Sequence, residues 1–281
     1  MKKIILIFIC LGLFNCASSS KNSSVKETPS SNSSSKNEAE SSEDVSAESD
    51  VEKAPVIVVP DSQYAGLITA IKSQNDDAIS KAAMRILLQA PNDVKALNAL
   101  ALVNYKKGRY DAAQYLLSKA LAKSGNVSET HSNLGLFFLA KKEKRDAIRS
   151  FKKALEINPQ DGVAAANLGS IYVQEKDMIK AVFALEIAYG RGVRDIKTMN
   201  NYAVALASNG KTAEAGRIYK TLVKDNASNK EVLFNYIVFL VDHEQNYKEG
   251  IEYINRLKFV GVPPEVRQKL SALEAKAKSA K

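Results

Sequence analysis

The chain has 281 residues, 40 Lys and Arg against 31 Asp and Glu, two His, two Cys and no Trp. Neither histidine has a second histidine or a cysteine at metal-ligand spacing, and no H-E-x-x-H or G-x-S-x-G stretch occurs, so the common metallohydrolase and serine-hydrolase signatures are missing. Carboxylates are plentiful, but none is paired on an apolar face in the way that raises a pKa for acid–base work.

At the start, Lys2 and Lys3 precede an apolar run over residues 4–14, too short to cross a bilayer and suited to a signal-peptide core. The run ends Leu13-Phe14-Asn15-Cys16 and turns serine-rich. This resembles a bacterial lipoprotein signal, which implies removal of residues 1–15 and lipidation of Cys16. Cys10 leaves with the signal, so Cys16 has no intrachain partner, and acylation accounts for it without a free thiol. Ala17 and Ser18 follow in place of the aspartate that holds enterobacterial lipoproteins in the inner membrane. By that resemblance the anchor is the outer membrane, facing the periplasm.

Residues 16–59 hold fourteen serines between Ser18 and Ser49, no aromatic residue and an acidic cluster from Glu38 to Glu52. Such a composition buries too little apolar surface to offset its conformational entropy, which predicts a disordered tether with a reach of roughly 35–40 Å. Val56 to Val59, between Pro55 and Pro60, reads as an extended segment packing on the first hairpin after residue 60, as a short strand, or as a docking motif.

From residue 60 the chain repeats. Asn133-Leu134-Gly135 recurs as Asn167-Leu168-Gly169, then Asn201-Tyr202-Ala203, then Asn235-Tyr236-Ile237, each 34 residues on. Ala113, Ala147, Ala181 and Ala215 keep the same step, as do Ala120, Ala154 and Ala188, with Leu222 following. Within residues 128–161, Ala147, Phe151 and Ala154 have the spacing of one helix face, and Pro159 ends that helix. Two such helices cannot cover both faces of a hairpin, so neighbouring units must stack on each other. Period 34 with these small, aromatic and proline positions resembles the tetratricopeptide repeat. The resemblance implies an all-α fold: a right-handed α-solenoid of six helix hairpins over residues 60–264, starting near 60, 94, 128, 162, 196 and 230. The sixth unit needs a one-residue insertion to place Gly250 where alanine is expected. After the breaker Gly261-Val262-Pro263-Pro264, residues 265–281 predict a capping helix with Val266, Leu270 and Leu273 on one face.

Removing the signal lysines and the four basic and eight acidic residues of the tether leaves 34 basic and 23 acidic residues from residue 60 onward. A basic domain beside an acidic tail suggests an anionic partner, or a tail that folds back until a partner displaces it. The export signal argues against nucleic acid. The turns within the second and third units carry Lys106, Lys107, Arg109, Lys141, Lys142, Lys144 and Arg145, which in a solenoid form a ridge along one edge. Arg191 and Arg194 flank Gly192 in a turn that reads as flexible. His131 falls at a packing position of its repeat and predicts a partly buried helix residue.

In the resembled family the first helix of each unit lines the concave surface. Asn133, Asn167, Asn201 and Asn235 share the sixth position and resemble the asparagine ladder of some long arrays, whose amides hold an extended peptide by its backbone. Asparagine is also common there without any ligand. Groove neighbours Leu136, Leu139, Ala166, Val173, Val204, Phe234 and Val238 favour an apolar or helical segment. The lipid anchor, spacer and six hairpins resemble pilotin-type lipoproteins of type IV pilus secretin assembly and the gliding-motility tetratricopeptide lipoproteins. That implies a non-catalytic scaffold for protein partners in an envelope machine, with no cofactor or metal. The alternative is a regulator that binds anionic cell-wall polymer or lipid through the basic ridge.

Overall fold

A computed structural model describes residues 59–280. The signal, Cys16 and the tether up to residue 58 lie outside the described residues. The described chain is all helical: α1 (Asp61–Lys72), α2 (Asp76–Gln89), α3 (Val94–Lys106), α4 (Tyr110–Lys123), α5 (Ser128–Ala140), α6 (Lys144–Ile157), α7 (Gly162–Gln174), α8 (Met178–Gly190), α9 (Ile196–Ser208), α10 (Thr212–Asp225), α11 (Lys230–Val238), α12 (Tyr247–Val260) and α13 (Arg267–Ser279). Odd- and even-numbered helices pair into six antiparallel hairpins, and each hairpin packs on the next. The units begin where the 34-residue register places them.

The register works through small residues. Ala113, Ala147, Ala181 and Ala215 are fully buried, as are Ala120, Ala154 and Ala188. The tightest contacts are within hairpins, where a glycine of the first helix receives a large side chain of the second. A Cβ built on Gly135 would lie 2.4–2.6 Å from the Phe151 ring, and one on Gly169 would lie 2.5 Å from Leu185. The receiving side chains Leu117, Phe151, Leu185 and Tyr219 themselves recur every 34 residues and are all buried. One continuous core runs from the third unit to the capping helix, and a smaller one joins α1, α2 and α3. Ala101, Leu117 and Phe137 pack between them. Val59 is buried in the smaller core, so the packing reading holds for that residue. Residues 56–58 are outside the described range.

The turn inside each hairpin places one residue at positive φ, again in register: Gln74 (53°), Gly108 (73°), Lys142 (62°), Lys176 (60°) and Gly210 (77°). The sixth unit has Gln245 there (53°), 35 residues on. The extra residue is absorbed where α11 widens into a π-turn, Phe239–His243, the usual structural form of a one-residue insertion in a helix. The π-turn also explains Gly250: a Cβ there would meet Val241 Cγ2 at 2.8 Å. In the fifth unit, which lacks the closing proline, Asn226 ends α10, its amide donating to Leu222 O (3.1 Å), and Asn229 caps α11.

A short 3₁₀ turn at Pro264–Val266 precedes α13, so the capping helix starts two residues later than expected. Leu270, Leu273 and Ala277 bury its inner face, while Val266 is half-buried. Lys258 of α12 pairs with Glu274 of α13 at 2.6 Å, and Lys276 of α13 pairs with Asp242 of the π-turn at 2.7 Å. The Arg191–Arg194 turn is pinned rather than flexible. The Arg194 guanidinium stacks on the Tyr189 ring at 3.6 Å and donates to the Tyr189 carbonyl, so the side chain closes a turn that glycine alone would leave loose.

Two substitutions separate these constraints. Gly135→Ala should lower stability by about 1–3 kcal/mol, because the Phe151 ring must move. Lys176→Gly should raise it by up to about 1 kcal/mol, since a lysine in the left-handed region costs roughly 1–2 kcal/mol and glycine gives part of that back in unfolded-state entropy. Urea midpoints of the three proteins check both signs.

Candidate functional site

The stack curves because its two layers pack unequally. The first helices touch directly, α3 on α5, α5 on α7, α7 on α9 and α9 on α11, whereas successive second helices make no comparable contact. The crowded layer is the inner one, and its free face is a groove. Leu136, Leu139, Val173, Val204, Phe234 and Val238 are half-buried, seated on the main core with one side left open. Ala166 is buried and belongs to the wall behind them. The same rows continue toward the N-terminus through Leu102 and Tyr105, half-buried, and Ile68 and Ile71, 51% and 45% exposed. Sequence reasoning missed these four, although a step of 34 residues back from Leu136 and Leu139 finds them all. At the C-terminal end the groove deepens into a cleft of about 310 Å³, lined by Val204, Ala207, Ser208, Asn235, Val238 and Phe239, with His243 and Lys269 also bordering it.

The four asparagines lie along this face, but they are not equivalent. Asn133 donates to Asn98 Oδ1 (3.2 Å), and buried Asn98 donates to Thr130 Oγ1 (2.7 Å). Asn167 donates to Val163 O in its own helix (2.9 Å), and Asn201 donates to Ser170 Oγ (3.0 Å). Three amide nitrogens are therefore engaged with the protein. Each of those rungs still keeps its carbonyl oxygen and the second N–H of its amide, one acceptor and one donor. Asn235 alone has neither amide atom bonded among the described residues, and it borders the cleft. Next to the ladder, Asn200 is 1% exposed; its amide donates to Glu231 (3.2 Å) while its Oδ1 has no partner.

The basic turns do line one edge, and neighbouring turns bridge each other. Lys106 and Lys107 reach back to Asp76 and Asp77 at 3.0 Å each, and Lys144 reaches forward to Glu175 at 3.7 Å. Lys141 pairs with Glu143 (4.0 Å) and sits 5.2 Å over the Phe137 ring. Lys107 beside Asp77 holds that carboxyl below its usual range. Arg109, Lys142 and Arg145 make no ion pair among the described residues, so the free charge of the ridge is less than its lysine count suggests. His131 is half-buried with Nε2 2.9 Å from Gly125 O, as a packing residue. His243 is exposed in the π-turn, its ring stacked on Phe239 at 6.5 Å.

A polar row that the sequence carried unread joins the units. Asp93, Asp161, Asp195 and Asn229, spaced by 34 or its multiples, cap α3, α7, α9 and α11. Asp161 also accepts from Ser128 Oγ (2.6 Å) and Ser132 Oγ (2.7 Å) of the preceding unit, and Asp93 accepts from the Tyr64 hydroxyl (2.5 Å). That bond to Asp93 is the main reason the Tyr64 hydroxyl titrates late, at about 12.

Known proteins match this geometry. Residues 128–161 and 72–129 match tetratricopeptide repeat family models. The BBSome complex member BBS4 of Bos taurus is 27% identical over 197 residues, covering 65% of this chain and 37% of that protein. The chain thus spans little more than a third of the relative's length. Among solved structures, Pseudomonas aeruginosa PilF is 19% identical, with a TM-score of 0.60 over 75% of this chain and 96% of PilF. YrrB, described as a TPR protein with an unusual peptide-binding site, is 17% identical, with a TM-score of 0.56 over 71% and 99% of the two chains. Matched repeats, helix order and solved neighbours agree: residues 72–161 carry tetratricopeptide repeats, and the described chain has the fold of such proteins. Its fold is that of a protein–protein interaction scaffold.

The Asp161 bridge should be worth more than a cap alone. Asp161→Ala should cost about 2 kcal/mol, roughly half from the cap and half from the stranded Ser132 hydroxyl, since Ser128 keeps the Ala154 carbonyl as acceptor (3.0 Å). Asp195→Ala, where only a cap is lost, should cost about 1 kcal/mol. Equilibrium unfolding of the two variants compares them.

Proposed function

We propose that the protein is a non-catalytic scaffold of the bacterial envelope, tethered to the outer membrane through Cys16 and facing the periplasm. It holds an apolar segment of a partner protein in the groove. The observation that carries this reading is the apolar double row from Ile68 to Val238, open to solvent along the inner layer of the stack. A row that is apolar in every unit but the fourth, where Ser170 stands in it, favours a ligand that buries aliphatic side chains over several units, because such burial scales with area rather than with individual contacts. The asparagine amides alongside it, each with a carbonyl oxygen and an N–H to spare, suit the backbone N–H and C=O groups of an extended chain. The description of YrrB as a peptide-binding TPR protein is in keeping with that use.

The machine we favour is gliding motility or type IV pilus and secretin assembly. Support comes from the likeness of signal, spacer and repeats to those lipoproteins, and from the shared fold with PilF. The ridge reading, with anionic polymer or lipid as ligand, weighs less because four of its seven cations are already paired. Exposed charges of that kind are also screened over about 8 Å at physiological salt.

A photo-crosslinking residue at Leu136 or Val204, in the native cell, should give a discrete protein adduct. That adduct should weaken when Asn167 and Asn201 are changed to alanine; survival would keep the scaffold and remove the ladder. Adducts only from Lys142 or Arg145 would move the site to the ridge. Separately, Cys16→Ser should abolish labelling by radioactive palmitate and release the protein from the membrane fraction. Retained labelling would sink the anchor.

A further inference from the structure

The outer face of α8 departs from its neighbours. Helices α6 and α10 are amphipathic with charged outer faces, whereas α8 is apolar almost all round. A helix apolar on every side is normally buried, yet Ile179 and Phe183, one turn apart, are 64% and 65% exposed. The repeat register puts Arg145 and Arg149 of α6, and Ala213 and Arg217 of α10, at the equivalent outer positions. The apolar pair therefore stands between two basic helices. Arg149 is paired with Asp146, and Lys153 with Glu156. Arg145, Lys152, Arg217, Lys220 and Lys224 are exposed and make no ion pair among the described residues. The acidic groups left unpaired on the three helices are Glu186, Glu214 and Asp225.

Between the C-terminal end of α8 and α10, a cleft of about 330 Å³ opens among Tyr189, Met199, Tyr202 and Ile218, with Arg194, Arg217 and Glu214 also lining it. Tyr202 is 5% exposed, and its hydroxyl has no hydrogen-bond partner among the described residues. Burial and the nearby Glu186 and Glu214 carboxylates push its pKa up to about 12, so the hydroxyl stays a donor. A buried tyrosine usually bonds its hydroxyl; here it borders an open cleft with a free arginine.

We propose that the outer face of α6, α8 and α10 is a second docking surface, which takes an acidic amphipathic helix of a partner protein. Its apolar residues cover Ile179 and Phe183, its carboxylates face Arg145 and Lys152 on one side and Arg217 and Lys220 on the other, and one polar side chain enters the cleft. A second copy of this chain fits poorly, because a two-fold contact would set these cations against their own images. A flat bilayer would meet the exposed pair and the cations but leave the cleft unfilled. The surface is formed by the outer helices, so it goes beyond the groove reading.

The test uses the purified full chain and a fluorescent alanine-based helical peptide carrying Leu at i, i+4 and i+7 with flanking Glu. Wild type should bind it, with affinity falling as salt is raised. Phe183→Arg places there the residue that both neighbouring repeats already hold, so it should keep wild-type circular dichroism and Tm while weakening binding about tenfold or more. R217E/K220E should weaken binding similarly without touching the apolar pair, and a peptide with Lys for Glu should not bind. No peptide binding, or equal binding by both variants, overturns the proposal. So does uptake by anionic phosphatidylglycerol vesicles without peptide binding, which marks a membrane surface. A dimer dissolved by Phe183→Arg overturns it in favour of self-association.

Discussion

The third and fourth hairpins close by seating a large side chain where the facing helix has no room for a Cβ. Gly135 under Phe151 and Gly169 under Leu185 are the plainest cases, and Ala101, Ala203 and Ile237 occupy the same place in other units. The distance between the two helices of a unit is set there, and the buried alanines of the second helix set the distance to the next unit. Because side chains pack at near-crystalline density, these two spacings repeated six times fix the curvature of the stack and the width of the groove. The sixth unit shows the rule under strain. Its extra residue is taken up by a π-turn, which pushes Val241 toward α12, and only glycine at 250 leaves space for it.

Polar groups are held to the seams. Asp93 and Asp161 serve two units at once, and the chain from Asn133 through Asn98 to Thr130 crosses from the third unit to the second and back. Such bonds add little net stability each, but leaving a buried group unbonded costs more, so they fix the register of one hairpin on the next. The groove asparagines take part in this. Asn133, Asn167 and Asn201 each give one amide N–H to the protein and keep the other beside the carbonyl oxygen, with Asn235 the one rung free at both atoms among the described residues.

Much of this was legible in the sequence because a repeat reports each constraint several times. Six units, their starting points, the buried alanines and the sixth-unit insertion all follow from period 34, and the capping helix from the breaker at residues 261–264. The inner apolar residues were legible where the units match well and missed in the first two, where Ile68, Ile71, Leu102 and Tyr105 carry the row without the flanking signature. Pairings across units were not legible. Lys106 with Asp76 and Lys144 with Glu175 join residues about 30 apart that meet only once the turns are stacked along one edge. Counting lysines in the sequence therefore overstated the free charge of the ridge. The Arg194 turn was misread for a similar reason, since the two glycines are visible locally and the stacking on Tyr189 is not.

Uniform stacking makes departures from uniformity informative. The inner row changes its side chains from isoleucine to leucine to valine along the stack yet stays aliphatic over most of its length, which suits a ligand read by area and not by sequence. The outer face is the reverse. Position by position it is charged in α6 and α10, and it becomes apolar over one helix, α8, where folding alone gives no reason for Ile179 and Phe183 to face water. Arginine holds the position of Phe183 in the units on both sides, so the stack tolerates a charge there. A residue that packing does not require, set where its neighbours carry the opposite character, is what a locally specific contact needs. One solenoid then presents two surfaces of different kinds: an inner one that is long and permissive, and an outer one that is short and selective.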